Sequence, residues 1–269
     1  MKTMINILIV LLFLTSCTLF VSCDSTITDL NDEVSNTDFT ASESFHFSIA
    51  VQNQTMFSIA GINGNITISG VSNTDSVIIT GQKSVGSESI EDAEAHLPDL
   101  EVIVQDLANE VAVETNQPDE TGGRNYTINY HVTLPKGFTI SAANENGIVS
   151  VDSINNTVNT ANVNGQIILT EIVGNSAVSL VNGQITAKIT LPSNGNIGMA
   201  NVNGNIDLEI PTNTSAEFSA GLTNGNITIT NLVLQNQVSS STSLTGKLGN
   251  GEGTIALTTV NGNISATGF

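Results

Sequence analysis

Apolar and polar residues alternate in short runs along the C-terminal half of the chain, and each run follows an Asn-Gly pair. The residues two and four places after the Gly are apolar in all seven aligned copies, and the residue between them is polar in six. This alternation is typical of a β-strand with one buried face. A second strand precedes each pair, so the repeat predicts two strands and two turns per unit. The pairs are Asn63-Gly64, Asn146-Gly147, Asn164-Gly165, Asn182-Gly183, Asn203-Gly204, Asn224-Gly225 and Asn261-Gly262.

The spacing of these pairs is compatible with two folds. From Gly147 to Gly225 the spacing is 18 or 21 residues, and the 37 residues to Gly262 correspond to about two periods. In a meander, Asn-Gly would form a two-residue type I′ hairpin that places Leu180 opposite Ile185. In a β-solenoid, each unit would be one coil, and equivalent residues would stack at roughly 4.8 Å.

The sameness of each repeat position favours the second fold, an all-β, parallel β-helix-like solenoid of 18–21-residue coils. A meander fixes the chemistry of its turns but does not require the same side chain at each equivalent position. In stacked coils the aliphatic residues would form an internal ladder, in which each burial contributes roughly 1.5–3 kcal/mol. The Asn side chains could form a second ladder, of amides, along one corner.

The first half of the chain departs from this regularity. Residues 45–83 resemble one or two further coils, whereas residues 84–135 form an insertion. Ser89 followed by Asp92 is typical of a helix start, and Pro98 ends the apolar pattern that follows, so we expect one short helix packed on the sheet. The insertion then returns to strands at Glu101–Gln105, Glu110–Glu114 and Tyr126–Leu134, with an exposed loop at Pro118–Arg124.

The N-terminus has the pattern of a secretory signal. A basic start precedes an apolar run from Ile5 to Leu14, and a small residue precedes each of two cysteines. Cys17 and Cys23 both lie in segments that resemble a bacterial lipobox, and Cys23 is favoured as the lipid anchor because apolar character stops at Asp24. The alternatives are a plain cleaved signal and an uncleaved membrane anchor.

The expected organisation is a lipoprotein signal at residues 1–22, a flexible tether at 23–42 and a repeat domain at 43–269. Such a protein would be exported and held by its lipid in the bacterial cell envelope, in the outer membrane, facing the periplasm or the cell surface. The chain has no cysteine besides the two near its start, which excludes a thiolate metal site and a Cys nucleophile.

The charge balance limits the expected partners. The formal net charge is −19, from 25 acidic and 6 basic side chains. Binding to nucleic acid requires clustered Lys or Arg, so the sequence argues against it. The same acidity disfavours docking on an anionic lipid surface. The expected partners are the membrane, through the lipid, and a surface glycan or protein, with the oligomeric state left open.

The ordered motifs resemble a known group. They comprise Ile62-Asn63-Gly64-Asn65-Ile66, the helix-forming insertion, a strand running into Pro135-Lys136-Gly137, and a closing Asn261-Gly262-Asn263-Ile264. This series, over residues 45–269, resembles the bacterial putative-adhesin domain family, which is related in style to the head domains of putative autotransporter adhesins. The family has no defined biochemical role. The resemblance implies a β-helix-like solenoid.

The chain departs from that family after the Asn-Gly pairs. Many relatives carry Asp at these positions, whereas this chain carries amides, which argues against a repeated acidic metal site. Asn and Asp oxygens on turns can bind Ca²⁺, but no loop here has a calcium-binding spacing. No metal or cofactor is therefore expected. The amide positions are Asn65, Gln166, Gln184, Asn205, Asn226 and Asn263.

Few side chains suggest catalysis. His46, His96 and His131 do not have the spacing of a metal site. Asp207 and Glu209 share one predicted strand face, and paired carboxylates are what a polysaccharide-active β-helix enzyme needs. Another acid, Glu217, lies on the following strand. A role as outward, solvated acids is the favoured interpretation of these three, so no catalytic residue is assigned.

Three functional hypotheses follow. The leading one is a non-catalytic envelope lipoprotein that acts as an adhesin-like binding or scaffold module. The second is a structural or sensor-associated envelope protein without a specific ligand. The third is a polysaccharide-active β-helix enzyme. Any binding surface is expected on the outward polar positions or in the 84–135 insertion.

Overall fold

The computed structural model describes residues 37–269. The predicted signal, both cysteines and the tether up to residue 36 lie outside the described residues. No helix in the described part is long and apolar enough to span a membrane. The elements are β1 Phe39–Ala50, β2 Met56–Ala60, β3 Ile66–Val71, β4 Ser76–Ser87, α1 Ile90–His96, a 3-10 turn Leu97–Asp99, β5 Glu101–Asp106, β6 Glu110–Asn116, β7 Asn125–Pro135, β8 Thr139–Asp152, β9 Val158–Val173, β10 Ser176–Thr190, β11 Asn196–Asn203, β12 Ile206–Ile210, β13 Ala216–Asn224, β14 Ile227–Thr230, β15 Gln235–Ser239, β16 Ser243–Leu248, β17 Gly253–Asn261 and β18 Ile264–Gly268.

The Asn-Gly repeats lie side by side in parallel register. Gly165 pairs with Gly147 on one side and with Gly183 on the other, and β8, β9 and β10 pass through Asn-Gly as continuous strands. Leu180 pairs with residues of the neighbouring units rather than with Ile185, so the hairpin alternative is wrong. Asn-Gly is a corner inside a parallel unit, and the fold is an all-β, mostly parallel arrangement.

The strands form two stacks, which the long strands β8–β10 join. Stack A contains the strands that precede Asn-Gly, with β5 and β6 at one end and β16 and β15 at the other. Its spatial order is β5, β6, β2, β8, β9, β10, β11, β17, β13, β16 and β15. Stack B contains the strands that follow Asn-Gly, with β1, β4 and β7 at one end. Its order is β1, β4, β7, β3, β8, β9, β10, β12, β18 and β14. Antiparallel strands cover both ends of stack A but only the β1 end of stack B.

The spatial order of the units departs from the sequence order at both ends. The last unit in the sequence, β17–β18, lies between β11–β12 and β13–β14. The first unit, β2–β3, similarly lies between β6–β7 and β8. The segment between β14 and β17 contains the hairpin β15–β16, which covers β13. The spacing of 37 residues between Gly225 and Gly262 therefore does not represent two stacked coils.

Residues 45–83 contribute one parallel unit, β2–β3, of the one or two coils predicted there. The flanking strands β1 and β4 pair antiparallel instead, with Phe39 opposite Ser87 and Ala50 opposite Ser76. β1 thus begins within the segment predicted as tether. The predicted helix is confirmed: Ser89 Oγ accepts from the Asp92 backbone N–H across 3.1 Å, and α1 packs on β1 and β4.

The core lies between the two stacks. The aliphatic residues two and four places after each Gly point inward and are buried in every unit of stack B except the last. Ile206 is 0% exposed, whereas the equivalent Ile227 on the uncovered strand β14 is only half-buried. Phe57, Tyr126 and Tyr130 fill the core near β7. The repeated burial of large aliphatics accounts for the strict apolar pattern, because each contributes roughly 1.5–3 kcal/mol.

Candidate functional site

A row of side-chain amides follows the Asn-Gly corner. Asn146 Nδ2 donates to Asn63 Oδ1 across 2.8 Å, and Asn164 Nδ2 donates to Asn146 Oδ1 across 2.9 Å. The bond recurs at every later step in the same direction, and Asn63 Nδ2 ends the row on the Tyr126 carbonyl oxygen at 3.1 Å. The predicted amide ladder is thus present. Its spatial order is Asn63, Asn146, Asn164, Asn182, Asn203, Asn261 and Asn224.

A second set of amides points inward at the same corner. Asn144 Nδ2 donates to the Gly64 carbonyl oxygen at 2.9 Å, and Asn162 Nδ2 donates to that of Gly147 at 2.7 Å. Their buried Oδ1 atoms have no hydrogen-bond partner among the described residues. Leu180 occupies the equivalent position in the next unit. Both sets of amides therefore bind one unit to the next.

The outward side of stack A differs from the rest of the surface because its side chains are small. Neighbouring strands align these residues in two rows, which leave a face with little relief. One row is Ala60, Ala143, Ala161, Ser179, Ala200, Thr258 and Gly221, and the other is Ala112, Ser58, Ser141, Asn159, Ala177, Gly198, Ala256 and Ser219.

A trough of about 320 Å³ opens on this face where it meets the 84–135 insertion. Its floor consists of small residues of β6, β2, β8 and β9, and its wall is formed by Ile103 and Gln105 of β5 and by Leu107 of the following turn. Leu107 is 44% exposed, although its backbone N–H is held by the Glu110 carbonyl oxygen at 2.8 Å. The trough therefore presents the apolar side chain of Leu107 to solvent beside a floor of small residues.

Two carboxylates line the trough. Glu110 and Glu114 are half-buried on the outward side of β6, and Glu110 accepts a hydrogen bond from the Ser58 hydroxyl. Neither forms a salt bridge within residues 37–269, where Lys83, Arg124 and Lys247 pair with other acids. The trough thus combines apolar surface with uncompensated negative charge.

The insertion that carries the wall is fixed by a bidentate ion pair. Arg124 Nε lies 2.6 Å from Asp92 Oδ2, and Arg124 Nη2 lies 2.7 Å from Asp92 Oδ1. The hydrogen bonds from Arg124, and then from the Ser87 hydroxyl, hold the pKa of Asp92 well below its usual range. The same contact raises the pKa of Arg124. The pair ties the loop between β6 and β7 to α1.

The acids considered from the sequence are not all brought together. Asp207 and Glu209 lie on the outward side of β12 in stack B, and Gln184 Nε2 donates to Asp207 Oδ2 across 2.7 Å. Glu217 lies on β13 in stack A, with its Oε1 at 3.3 Å from Lys247 Nζ. The outward sides of stack A and stack B lie on opposite sides of the core, so Glu217 does not complete a cluster with the other two.

The histidines are also dispersed. His46 on β1 and His131 on β7 are exposed, and His96 Nδ1 lies 2.9 Å from the Asp92 carbonyl oxygen at the end of α1. In the part of the chain that the structure describes, no three His, Asp or Glu residues are grouped so that they could hold a metal ion.

The sequence predicts a binding surface at outward polar positions or in the 84–135 insertion. The trough involves β5 and β6 of that insertion, but its floor consists largely of small residues such as Ala60 and Ala143 rather than of polar ones. Its individual residues were not predicted. The signal was present as small residues at outward positions, such as Ala60, Ala143 and Ala200. These small residues indicate a trough only once parallel pairing aligns them across neighbouring strands and β5 lies beside them.

Solved structures that are similar to this chain include three bacterial proteins. A putative cell adhesion protein from Clostridium sporogenes ATCC 15579 shares 12% identity with a TM-score of 0.47, covering 85% of this chain and 100% of its own. A putative adhesin from Bacteroides fragilis NCTC 9343 shares 11% identity with a TM-score of 0.26, covering 84% and 97%. A putative adhesin from Parabacteroides distasonis ATCC 8503 shares 9% identity with a TM-score of 0.21, covering 83% and 97%.

No protein of curated function matches the chain. The sequence profile of the Toastrack DUF4097 family matches residues 21–267, which is most of the chain. The resemblance inferred from the sequence is thereby confirmed, and the chain belongs to the Toastrack DUF4097 family.

Proposed function

We propose that this protein is a non-catalytic module of the bacterial cell envelope that binds a partner in the trough beside β5. The stacked units form, in this proposal, a β-solenoid of 18–21-residue coils that acts as a rigid support. The observation that carries the proposal is the trough itself, in which the exposed Leu107 and the half-buried Ile103 border a floor of small residues. Apolar concave surfaces with a few polar groups are the usual form of binding sites.

The chemistry of the trough favours a polypeptide with an aliphatic side chain next to a Lys or Arg. Ile103 and Leu107 supply apolar contact, and the small floor residues allow an extended backbone to approach closely. Glu110 and Glu114 supply negative charge, which the net charge of −19 reinforces at long range. The lining contains no aromatic ring, the group that usually stacks on a sugar, so a glycan fits this trough less well.

A peptide library displayed on phage tests this assignment. Panning on the purified domain should enrich peptides that combine aliphatic and basic residues. Ala143→Phe, which fills the trough, should weaken their binding by about tenfold or more, corresponding to at least about 1.4 kcal/mol. Ala200→Phe is the matched control, because Ala200 lies in the same outward row but outside the trough.

Each outcome bears on a different part of the proposal. If the selected peptides bound both Phe variants equally well, the binding site would lie outside the trough. Glu114→Gln should reduce affinity more at low salt than at high salt, since exposed charges are screened. If a glycan array gave a ligand that Ala143→Phe excludes, the trough would remain the site but the peptide assignment would be wrong.

The proposed location in the cell envelope is based on the sequence alone. The apolar run that precedes Cys23 and the polar stretch that begins at Asp24 support a lipid anchor at Cys23. Detergent phase partition of the full chain tests it: Cys23→Ser should move the protein to the aqueous phase, whereas Cys17→Ser should leave it with the detergent. The reverse result would assign the lipid to Cys17.

The absence of catalysis is likewise a proposal. It is supported by the separation of Glu217 from Asp207 and Glu209 and by the hydrogen bond that occupies Asp207. Cleavage of a polysaccharide by the purified domain, lost in Asp207→Asn or Glu209→Gln, would overturn it.

A further inference from the structure

The Asn-Gly corner contains a reactive dipeptide whose reactivity depends on the position of the unit. In an Asn-Gly pair the Gly backbone nitrogen can attack the Asn side-chain carbonyl carbon, because Gly places no side chain in the way. The attack requires a Gly backbone N–H that makes no hydrogen bond and an Asn side-chain amide that can rotate toward it. A hydrogen bond from the Gly N–H or a fixed amide therefore slows the reaction until the structure opens locally.

Within the repeats the next unit supplies that protection. The Gly64 N–H donates to the Asn146 carbonyl oxygen at 3.0 Å, and the Gly204 N–H donates to that of Asn261 at 2.7 Å. The Gly262 N–H donates to the Asn224 carbonyl oxygen at 2.9 Å. All three bonds point in one direction along the stack, toward β13–β14.

The remaining pairs are protected in other ways. Gly147, Gly165 and Gly183 lie within the continuously paired strands β8, β9 and β10. Two further Asn-Gly pairs lie in turns outside the repeat register. There the Gly195 N–H donates to the Pro192 carbonyl oxygen at 2.9 Å, and the Gly251 N–H donates to that of Leu248 at 3.0 Å.

Asn224-Gly225 differs because its unit is the last in the stack. β14 pairs only with β18, and no further unit lies beyond it in the described chain. The Gly225 N–H and Asn224 Oδ1 consequently meet no hydrogen-bond partner among the described residues, and both residues are exposed. A single bond, from Asn224 Nδ2 to Asn261 Oδ1 at 2.8 Å, holds the side chain.

We propose that Asn224 is a site of spontaneous deamidation in the native protein and reacts before every other Asn-Gly pair of the chain. The Gly225 nitrogen forms a bond to Asn224 Cγ, and the Cγ–Nδ2 bond breaks. The proton lost by Gly225 leaves with Nδ2 as ammonia, and a five-membered succinimide remains. Water then opens either carbonyl of the ring, adding its hydroxyl to carbon and its proton to nitrogen, and yields aspartate or isoaspartate.

The product disrupts the end of the amide row. A carboxylate at residue 224 cannot donate to Asn261 Oδ1, and instead places a negative charge against that acceptor. Isoaspartate also lengthens the backbone at the corner, which breaks the register of β13–β14 with β17–β18. Each molecule that reacts therefore loses the side-chain bond between its terminal unit and the unit beside it, whereas the bonds at the other corners remain.

Peptide mapping by mass spectrometry tests the proposal on the purified domain held at mildly alkaline pH and physiological temperature. Deamidation at Asn224 should exceed that at each of the other Asn-Gly pairs by about tenfold or more, because those pairs need local opening. The appearance of isoaspartate beside aspartate marks the reaction as the succinimide route, because direct hydrolysis of the side-chain amide yields aspartate alone. The same chain in concentrated urea is the control, and there the rates at all pairs should converge.

Two results would overturn the proposal. One is a native rate at Asn194 or Asn250 that equals or exceeds the rate at Asn224, since it would show that turn bonds protect less than expected and that the stack end is not decisive. The other is a native rate at Asn224 as low as that at Asn164. Asn224→Gln supplies a negative control, because its longer side chain would have to close a six-membered ring.

Discussion

Asn164 donates from Nδ2 to Asn146 Oδ1 and accepts at its own Oδ1 from Asn182 Nδ2, with both bonds 2.9 Å long. Each pair of bonded residues is 18 positions apart in the sequence. One substitution in the middle of the row therefore removes two bonds between units. At the end of the row, Asn224 makes only one such bond.

Asn164→Ala should accordingly destabilise the domain more than Asn224→Ala. A net hydrogen bond contributes about 0.5–1.5 kcal/mol, and the row is exposed to water, so we expect a loss of about 1–2 kcal/mol for Asn164→Ala and of less than about 1 kcal/mol for Asn224→Ala. Urea unfolding followed by circular dichroism measures both. Equal losses would show that water replaces the ladder bonds without cost.

The corner glycine should be the least replaceable residue of the repeat. Gly183 has a φ of +137°, and a Cβ added to it would lie 1.7 Å from the Gly165 carbonyl oxygen. Gly183→Ala should cost about 3–5 kcal/mol, since backbone strain and steric overlap add. Gly221→Ala is the control, because a Cβ there meets nothing within 4 Å. Thermal unfolding of the two variants should separate them clearly, and similar midpoints would contradict the close contact between corners.

The sequence predicts the unit but not the order of the units. Ile227 and Ile264 occupy the same repeat position and each follows Asn-Gly-Asn, so nothing local distinguishes a unit at the end of the stack from one in the middle. The structure places Ile264 between Ile206 and Ile227 because the hairpin β15–β16 allows the chain to return. The helix was predictable because its signal, Ser89 capping Asp92, lies within four residues. The trough could not be predicted, because strands that are distant in the sequence form it.

The ion pair between Asp92 and Arg124 should make the insertion sensitive to acid. The pKa of Asp92 is depressed in the folded state, so its stabilising effect is present above the usual aspartate pKa of about 4 and is lost as the pH falls below it. Asp92→Asn should therefore lower stability near neutral pH, and its difference from the unmodified protein should shrink below about pH 4. Urea titrations at several pH values measure this. A difference that stays constant into strong acid would contradict the assignment.

The two tyrosines should ionise at a higher pH than tyrosines in the unfolded chain. Burial raises the pKa of Tyr130 to about 12, although the hydrogen bond between its hydroxyl and that of Thr115, 2.7 Å long, opposes the shift. Burial also raises the pKa of Tyr126. These are the only tyrosines of the chain, so phenolate absorbance reports on them alone.

Because the folded-state pKa of Tyr130 is raised, its contribution to stability is fully present below the unfolded value of about 10 and is lost as the pH rises toward 12. The native protein should show little phenolate absorbance at pH values where the urea-unfolded chain is already titrated. As the pH rises further, absorbance and unfolding should increase together, because the buried phenol ionises only when the core opens. A native titration that coincides with the unfolded one would mean that water reaches Tyr130 in the folded state, and that the β7 end of the core is open.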